Sequence, residues 1–166
     1  KAIKLAPNFI DSRVRLGVTY LETGDYTKAK EIYKKAIEKS ELINDMRGKA
    51  NSFGGLGNIH WHKGRYDKSL ENLYISLDIL KELNDQTGIS RSLLQIGHNY
   101  YYKGEWDKAY KYYLRSIEII DKMQDRHNMG KALLSLGNIY EAKKEIDKAL
   151  DCYKEASGIF IEFNVK

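Results

Sequence analysis

The sequence predicts an all-α fold, a superhelix built from four tandem helical hairpins. Three observations lead to this prediction: a pattern that repeats every 40 residues, apolar residues at helical spacing within each repeat, and an almost complete lack of proline. The single proline is Pro7, so the rest of the 166-residue chain lacks the strongest helix breaker. With 42% hydrophobic residues, the chain is too apolar to be disordered and is expected to fold.

The repeat is marked most clearly by a large aliphatic residue followed by glycine. These pairs are Leu16-Gly17, Leu56-Gly57, Ile96-Gly97 and Leu136-Gly137, each 40 residues after the one before. The same shift aligns three further columns: Tyr20, His60, Tyr100 and Tyr140; Ala29, Ser69, Ala109 and Ala149; Tyr33, Leu73, Tyr113 and Tyr153. Because the register never slips, the chain contains four copies of one unit.

Each copy contains two helical segments separated by a short turn. The first three turns contain Gly24, Gly64 and Gly104, and glycine suits the left-handed residue that ends many helices. Lys144 replaces this glycine in the fourth copy, which predicts strain or a different turn there. Small residues recur opposite large aromatic ones, which indicates that neighbouring helices cross closely and that the hairpins stack into a solenoid.

These columns resemble the tetratricopeptide pattern, in which Leu-Gly, Tyr, Ala and an aromatic residue recur at fixed spacing. The resemblance covers nearly the whole chain and implies a right-handed α-α superhelix. It divides the chain into repeats at 9–46, 47–86, 87–126 and 127–166, which together form one solenoid domain. Residues 1–8 resemble the end of a preceding repeat's second helix, so the chain is expected to be a fragment of a longer protein.

The period of 40 residues is longer than the usual tetratricopeptide period of about 34. Similar long repeats are found in the LGN/Pins spindle adaptors, kinesin light chains and bacterial Rap-type regulators, which bind peptides or protein domains. HEAT and armadillo repeats have a comparable period, but the glycine after leucine in the first helix and the alanines framing an aromatic residue in the second are typical of tetratricopeptide repeats.

The resemblance implies that the first helices of the repeats line a concave groove that binds a peptide or helical segment. Residues spaced i, i+3, i+7 and i+10 along these helices are expected to face the groove. Three polar residues of this set, spaced one repeat apart, would contact a peptide backbone, its two aromatic residues would supply apolar contact, and its two basic residues favour an acidic partner. The candidate binding residues are Asn51, Asn58, Trp61, Arg91, His98, Tyr101, Lys131 and Asn138.

Gly54 and Gly55 lie inside a predicted helix, where each glycine costs about 1 kcal/mol relative to alanine. Either they permit a close helix crossing or they leave room for the backbone of a ligand. The close crossing is the favoured interpretation.

The sequence predicts a binding protein without a cofactor or metal rather than an enzyme. His60 and His62 are two residues apart and face different sides of a helix, which does not suit a metal pair, and His60 occupies a tyrosine column expected to be in the core. No nucleophile is paired with a base in a recognisable signature. The run from Gly54 to Asn58 lacks the Lys-Ser/Thr ending of a phosphate-binding loop.

The charge pattern argues against nucleic acid and membranes as partners. The net charge of +5 comes from 28 basic and 23 acidic residues that are mixed along the helices, as on a solvated helix face. No apolar run is long enough to span a bilayer. The single cysteine, Cys152, cannot form an internal disulfide, which favours a reducing, cytoplasmic setting.

A second functional hypothesis is a structural spacer or an oligomerisation segment within a larger regulatory protein. The last predicted helix carries Ile159, Phe160, Ile161 and Phe163, with no polar capping helix after it. Such an end predicts either further repeats or a homodimer formed through the C-terminal end.

Overall fold

Eight helices make up the regular secondary structure of the computed structural model, which describes residues 8–164 and the side chains from Ile10 to Glu162. The helices are α1 (Asn8–Glu22), α2 (Tyr26–Ile43), α3 (Met46–His62), α4 (Tyr66–Glu82), α5 (Gln86–Tyr102), α6 (Trp106–Lys122), α7 (Arg126–Ala142) and α8 (Ile146–Asn164). The all-α prediction is therefore confirmed. The predicted N-terminal tail, 1–8, lies outside the described residues except for Asn8, where α1 begins. None of the helices in this part of the chain has the length and apolarity needed to cross a membrane.

The helices form two compact units, one ending at Asp85 and the other beginning at Gln86. In the first unit α1 packs against α2 and α3 against α4, which gives two helical hairpins. In the second unit α5 packs against α6 and α7 against α8. The hairpins of each unit are joined in the same way, because α2 also contacts α3 and α6 also contacts α7.

The glycine of each Leu-Gly pair allows the two helices of its hairpin to approach closely. An added Cβ at Gly17 would lie 2.6 Å from Cε1 of Tyr33, and one at Gly57 would lie 2.9 Å from Cγ of Leu73. Real Cβ atoms essentially never make contacts this short, so no larger residue fits without a shift. The rings of Tyr113 and Tyr153 lie against the corresponding glycines of the third and fourth hairpins. The predicted pairing of small with large residues is confirmed.

Leu16 departs from the pattern of its column, because it is 46% exposed whereas Leu56 is 9% exposed. Leu56 belongs to the same buried cluster as Ala29, Tyr33 and Ala36 of α2, so the preceding hairpin covers it. No helix before α1 lies in the described part of the chain to cover Leu16 in the same way.

The turn inside each hairpin has the same backbone conformation in all four copies. Gly24, Gly64 and Gly104 have φ angles of 79°, 67° and 76°, and Lys144 has a φ of 62°. The alternative of a different turn at Lys144 is therefore wrong. The Lys144 N–H donates to the Glu141 carbonyl over 2.9 Å, just as the Gly104 N–H donates to the Tyr101 carbonyl over 2.9 Å. The left-handed conformation is instead imposed on a residue with a Cβ, which costs about 1 kcal/mol.

Between the hairpins of each unit, a left-handed residue is followed by an aspartate that caps the N-terminus of the next helix. Asn44 has a φ of 56°, and the Asp45 side chain then accepts a hydrogen bond of 2.9 Å from the Gly48 N–H. Gln124 and Asp125 repeat this arrangement before α7. These capped junctions set where the first helix of each following hairpin begins.

Candidate functional site

A groove in the second unit lies between α5 and α7, the first helices of its two hairpins. It has a volume of about 330 Å³ and is lined by Ser90, Arg91, Leu94, Gln95, His98, Asn128, Lys131 and Ser135. Its size lies at the lower end of the range typical of ligand sites. The groove contains three of the eight predicted binding residues, which are Arg91, His98 and Lys131.

The groove carries two basic side chains, Arg91 on α5 and Lys131 on α7, and both residues are exposed. Among the side chains from Ile10 to Glu162, no ion pair includes either of them. The acid electrostatically coupled to Lys131 is Asp125, which is occupied by hydrogen bonds from the backbone and side-chain N–H groups of Asn128, at 3.1 and 2.6 Å. The lining of the groove is therefore positively charged and can attract carboxylates.

His98 is held at the floor of the groove by a hydrogen bond with Ser135. Its Nε2 lies 3.0 Å from Ser135 Oγ, and that hydroxyl donates its own proton to the Lys131 carbonyl over 3.0 Å. Nε2 must therefore carry the hydrogen that it shares with Ser135, which leaves Nδ1 as an acceptor. Burial lowers the pKa of His98, so the imidazole is neutral at neutral pH.

Tyr101 and Asn138 do not line this groove. Tyr101 packs against the buried cluster of Ala109, Tyr113 and Ile139. Asn138 is exposed, and its Oδ1 lies 2.8 Å from the Tyr153 hydroxyl.

The Tyr153 hydroxyl also lies 2.8 Å from Glu141 Oε2, so one hydrogen is shared between Asn138 and Glu141. Burial, reinforced by the hydrogen bond and charge of Glu141, raises the pKa of Tyr153 to about 12. Asn138 is therefore part of a polar cluster of its own, formed with Tyr153 and Glu141.

The candidates of the first unit, Asn51, Asn58 and Trp61, all lie on α3 and are half-buried. The Trp61 ring meets the His62 ring edge-on with centroids 4.8 Å apart. Their role in binding stays a prediction.

The adjacent glycines on α3 have different environments. A Cβ at Gly55 would overlap the ring of Tyr33, so the predicted close crossing is confirmed for this residue. At Gly54 the close crossing is wrong, because an added Cβ would meet only Ser76 Oγ, at an ordinary distance of 3.6 Å.

His60 is half-buried, and its Nδ1 is a buried atom without a hydrogen-bond partner in the described structure. Burial is the main cause of its lowered pKa, and the positive charges of Lys30 and Arg65 add to the effect. Between residues 8 and 164 there is no group of three or more His, Cys, Asp or Glu side chains that could hold a metal ion.

Five residues that line the groove were not among the predicted binding residues: Ser90, Leu94, Gln95, Asn128 and Ser135. Gln95 and Ser135 follow Arg91 and Lys131 by four residues, so they lie one helical turn further along the same faces. The helical spacing of i+4 therefore predicts both residues on the groove side.

Family models match most of the chain and show which repeat family it contains. The sequence model described as a tetratricopeptide repeat matches residues 48–122 and 88–162, and a second model with the same description matches residues 10–38. The chain belongs to the tetratricopeptide repeat family. No curated protein matches this tetratricopeptide repeat chain significantly.

Several solved structures share the fold of this tetratricopeptide repeat chain. BtubC (BKLC) from P. vanneervenii has a TM-score of 0.81 and 20% identity over 99% of this chain and 68% of its own. The apo form of RapI has a TM-score of 0.83 and 18% identity over 98% of this chain and 60% of its own. A Rap protein complexed with Competence and Sporulation Factor has a TM-score of 0.85 and 16% identity over 96% of this chain and 45% of its own. At these identities the likeness shows the fold alone.

Proposed function

We propose that this tetratricopeptide repeat protein is a protein-protein interaction module that binds an acidic segment of another protein in the groove between α5 and α7. The observation that carries the proposal is the pair Arg91 and Lys131, two cations that line one groove and form no ion pair with any side chain between Ile10 and Glu162. Charge-assisted hydrogen bonds to a carboxylate are about twice as strong as neutral ones. The activity proposed is binding, not catalysis.

The rest of the groove supplies the contacts that a peptide needs besides charge. His98 Nδ1 is an acceptor suited to a peptide N–H, because Nε2 is already committed to Ser135. Leu94 is half-buried and offers an apolar contact beside these polar groups. At about 330 Å³ the groove accommodates a few residues of a partner, so affinity would depend on a small number of anchor side chains.

A structure of similar fold supports a binding function for this kind of chain. The Rap protein that matches over 96% of this chain is complexed with Competence and Sporulation Factor. The low identity means that the partner of that protein is not transferred to this one.

The proposal can be tested without knowing the natural partner. A displayed library of random peptides is selected on the protein, and the affinities of the best binders are measured by fluorescence anisotropy. We expect the selected peptides to be enriched in Asp and Glu, and their affinity to fall by about tenfold or more in each of Arg91→Glu and Lys131→Glu. Lys154→Glu, which makes the same charge change at an exposed lysine of α8, should leave the affinity nearly unchanged.

Peptides that bind equally well to both groove variants would exclude this groove as the site. The same peptides, tested on Asn58→Ala, Trp61→Ala, Tyr101→Ala and Asn138→Ala, will show which of the remaining candidates contribute. A lost hydrogen bond should weaken binding by about 0.5 to 1.5 kcal/mol.

Self-association is the second function that a specific observation favours. On α8, Ile146, Leu150 and Ile161 are 60%, 47% and 60% exposed. Of the apolar residues expected at this end, Ile159 is buried and Phe160 packs against its cluster, whereas the Phe163 side chain lies outside the described residues. Ile146 and Leu150 are one helical turn apart on α8 and so form neighbouring exposed apolar residues, an arrangement that can mark an interaction site. A monomer at all concentrations in sedimentation equilibrium would exclude a homodimer formed through this face.

A further inference from the structure

A second pocket in the second unit lies beside the end of α5 and along the first three turns of α6. It has a volume of about 380 Å³ and is lined by Tyr100, Lys108, Lys111, Tyr112 and Arg115. None of these residues lines the groove between α5 and α7. We refer to it below as the α6 pocket.

Three cationic side chains form one stripe along the wall of the α6 pocket. Lys108, Lys111 and Arg115 are spaced i, i+3 and i+7 on α6, so they lie on one face of the helix. Seven residues span roughly 10 Å along a helix axis, a length over which several oxygen atoms of one ligand can be contacted. The rings of Tyr100 and Tyr112 complete the wall and stack on each other, with centroids 5.5 Å apart and planes inclined by 10°.

Two of the three cations interact with a neighbouring acid through charge alone, Lys111 with Asp107 and Arg115 with Glu118. Each acid that flanks the stripe forms an ion pair: Glu105 with Lys103 and with Lys108 of the stripe itself, Asp107 with Lys143, and Glu118 with Lys122. In the described part of the chain, no ion pair includes Lys111 or Arg115. Because Asp107 and Glu118 form their ion pairs with Lys143 and Lys122, the charge of Lys111 and Arg115 is only partly offset and can attract an anion to the α6 pocket.

The basic stripe is particular to the third hairpin. The residues aligned with Lys111 in the other hairpins are all acidic: Glu31, Glu71 and Asp151. Those aligned with Arg115 are Lys35, Ile75 and Glu155. Three hairpins thus form with an acid at the position of Lys111, so helix packing does not require a base there. The reversal of charge instead places a cation beside a pocket of small-molecule size.

We propose that the α6 pocket binds a small soluble ligand that carries a phosphate or diphosphate group. Phosphate oxygens accept charge-assisted hydrogen bonds from both lysine and arginine, and arginine can bind them in a bidentate manner. A diphosphate matches this stripe better than a single carboxylate does, because it presents several charged oxygens within one compact group to Lys111 and Arg115, and to Lys108 beside its partner Glu105. This site is independent of the groove proposed above for a protein partner.

The direct test is titration of the protein with inorganic pyrophosphate, monitored by the backbone amide shifts of α6 in NMR spectra at constant ionic strength. We expect saturable one-to-one binding with a Kd of about 1 mM or below. In Lys111→Glu, which restores the acid found in the other hairpins, the Kd should rise by about tenfold or more. A nucleoside diphosphate should bind at least as tightly as pyrophosphate, because it carries the same diphosphate group.

Lys34→Glu is the matched control, because it makes the same change of net charge at an exposed lysine of α2. Its pyrophosphate affinity should stay within about twofold of the wild-type value, since the screened interaction between distant surface charges is small. Arg115→Gln provides a second variant in case Lys111→Glu does not fold, as judged by its circular dichroism.

Three results would overturn the proposal. One is the absence of saturable binding of pyrophosphate, and another is an equal loss of affinity in Lys34→Glu and Lys111→Glu, which would show only general charge attraction. The third is binding to vesicles that contain a phosphoinositide without any binding of pyrophosphate or a nucleoside diphosphate. The peptide-binding assay is unaffected by each of these results, so the two proposals can fail separately.

Discussion

Gly55 on α3 faces the ring of Tyr33 on α2 so closely that an added Cβ would lie 2.5 Å from Cε1 and Cε2 of the ring. Its neighbour Gly54 has no such contact, because a Cβ there would lie 3.6 Å from Ser76 Oγ. The two glycines therefore serve different purposes although they are adjacent on one helix. One is required by packing, and the other costs helix stability without a packing reason.

This difference gives a matched pair of variants. Gly54→Ala should stabilise the protein by about 1 kcal/mol, because alanine is the better helix former and the site has room for its methyl group. Gly55→Ala should destabilise it by about 2 kcal/mol or more, because Tyr33 must move from its packed position. Urea denaturation followed by circular dichroism measures both. A destabilising effect of Gly54→Ala would contradict the conclusion that this position has room for a methyl group.

Lys144 gives the second prediction, since it is the only one of the four hairpin-turn residues that is not glycine while sharing their left-handed conformation. Lys144→Gly should raise the free energy of unfolding by about 1 kcal/mol. The reciprocal change Gly104→Lys is the control and should lower it by a similar amount. Equal stability of Lys144→Gly and wild type would mean that the backbone strain at Lys144 is offset by contacts of its side chain.

Asn99 gives the third prediction, because it is a buried polar residue in a column that holds Ile59 and Ile139 in the neighbouring hairpins. Its Nδ2 donates to the Gln95 carbonyl over 2.8 Å, but its Oδ1 has no hydrogen-bond partner in the described structure. Asn99→Ile should therefore stabilise the protein by about 1 to 2 kcal/mol. Ile139→Asn, the reverse change at the aligned position, should destabilise it. A loss of stability in Asn99→Ile would show that the polar contacts of the amide stabilise the folded protein more than an apolar side chain does.

The fourth prediction concerns pH, because burial lowers the pKa of both His60 and His98 below the ordinary value of 6.5. The unfolded chain then binds more protons than the folded chain as the pH falls below 6.5, so stability falls with pH in that range. Thermal unfolding between pH 7.5 and pH 5.5 should show the decrease. His60→Tyr restores the tyrosine of the other hairpins and should reduce the dependence of the melting temperature on pH. An unchanged dependence would show that His60 does not contribute to it.

Much of the fold follows from local features of the sequence. The hairpins were predictable because the Leu-Gly pairs, the turn residues and the junction aspartates recur in register. Each of these features shapes only the few residues next to it in the sequence. Lys144 shows where this reasoning ends. A lysine at this position predicts either strain or a different turn, and the structure has the same left-handed backbone as in the other copies, while α7 packs against α8 as in the other hairpins.

The candidate site was predictable only in part. Helical spacing placed Arg91, His98 and Lys131 on faces that line one groove, because such faces follow from the geometry of a single helix. The same spacing selected Tyr101 and Asn138, which contact an apolar cluster and Tyr153 instead. Helical spacing predicts the face of the helix on which a side chain lies. It does not predict which residues of a neighbouring helix that side chain contacts.

The sequence by itself determined that this protein consists of tandem tetratricopeptide hairpins, because periodicity and turn chemistry are properties of the chain at short range. Only the tertiary structure decided which glycine meets a tyrosine ring, which basic residues of the described chain form ion pairs, and where a pocket opens. Those outcomes depend on distances between helices that are far apart along the chain, and such distances result from the packing of whole side chains.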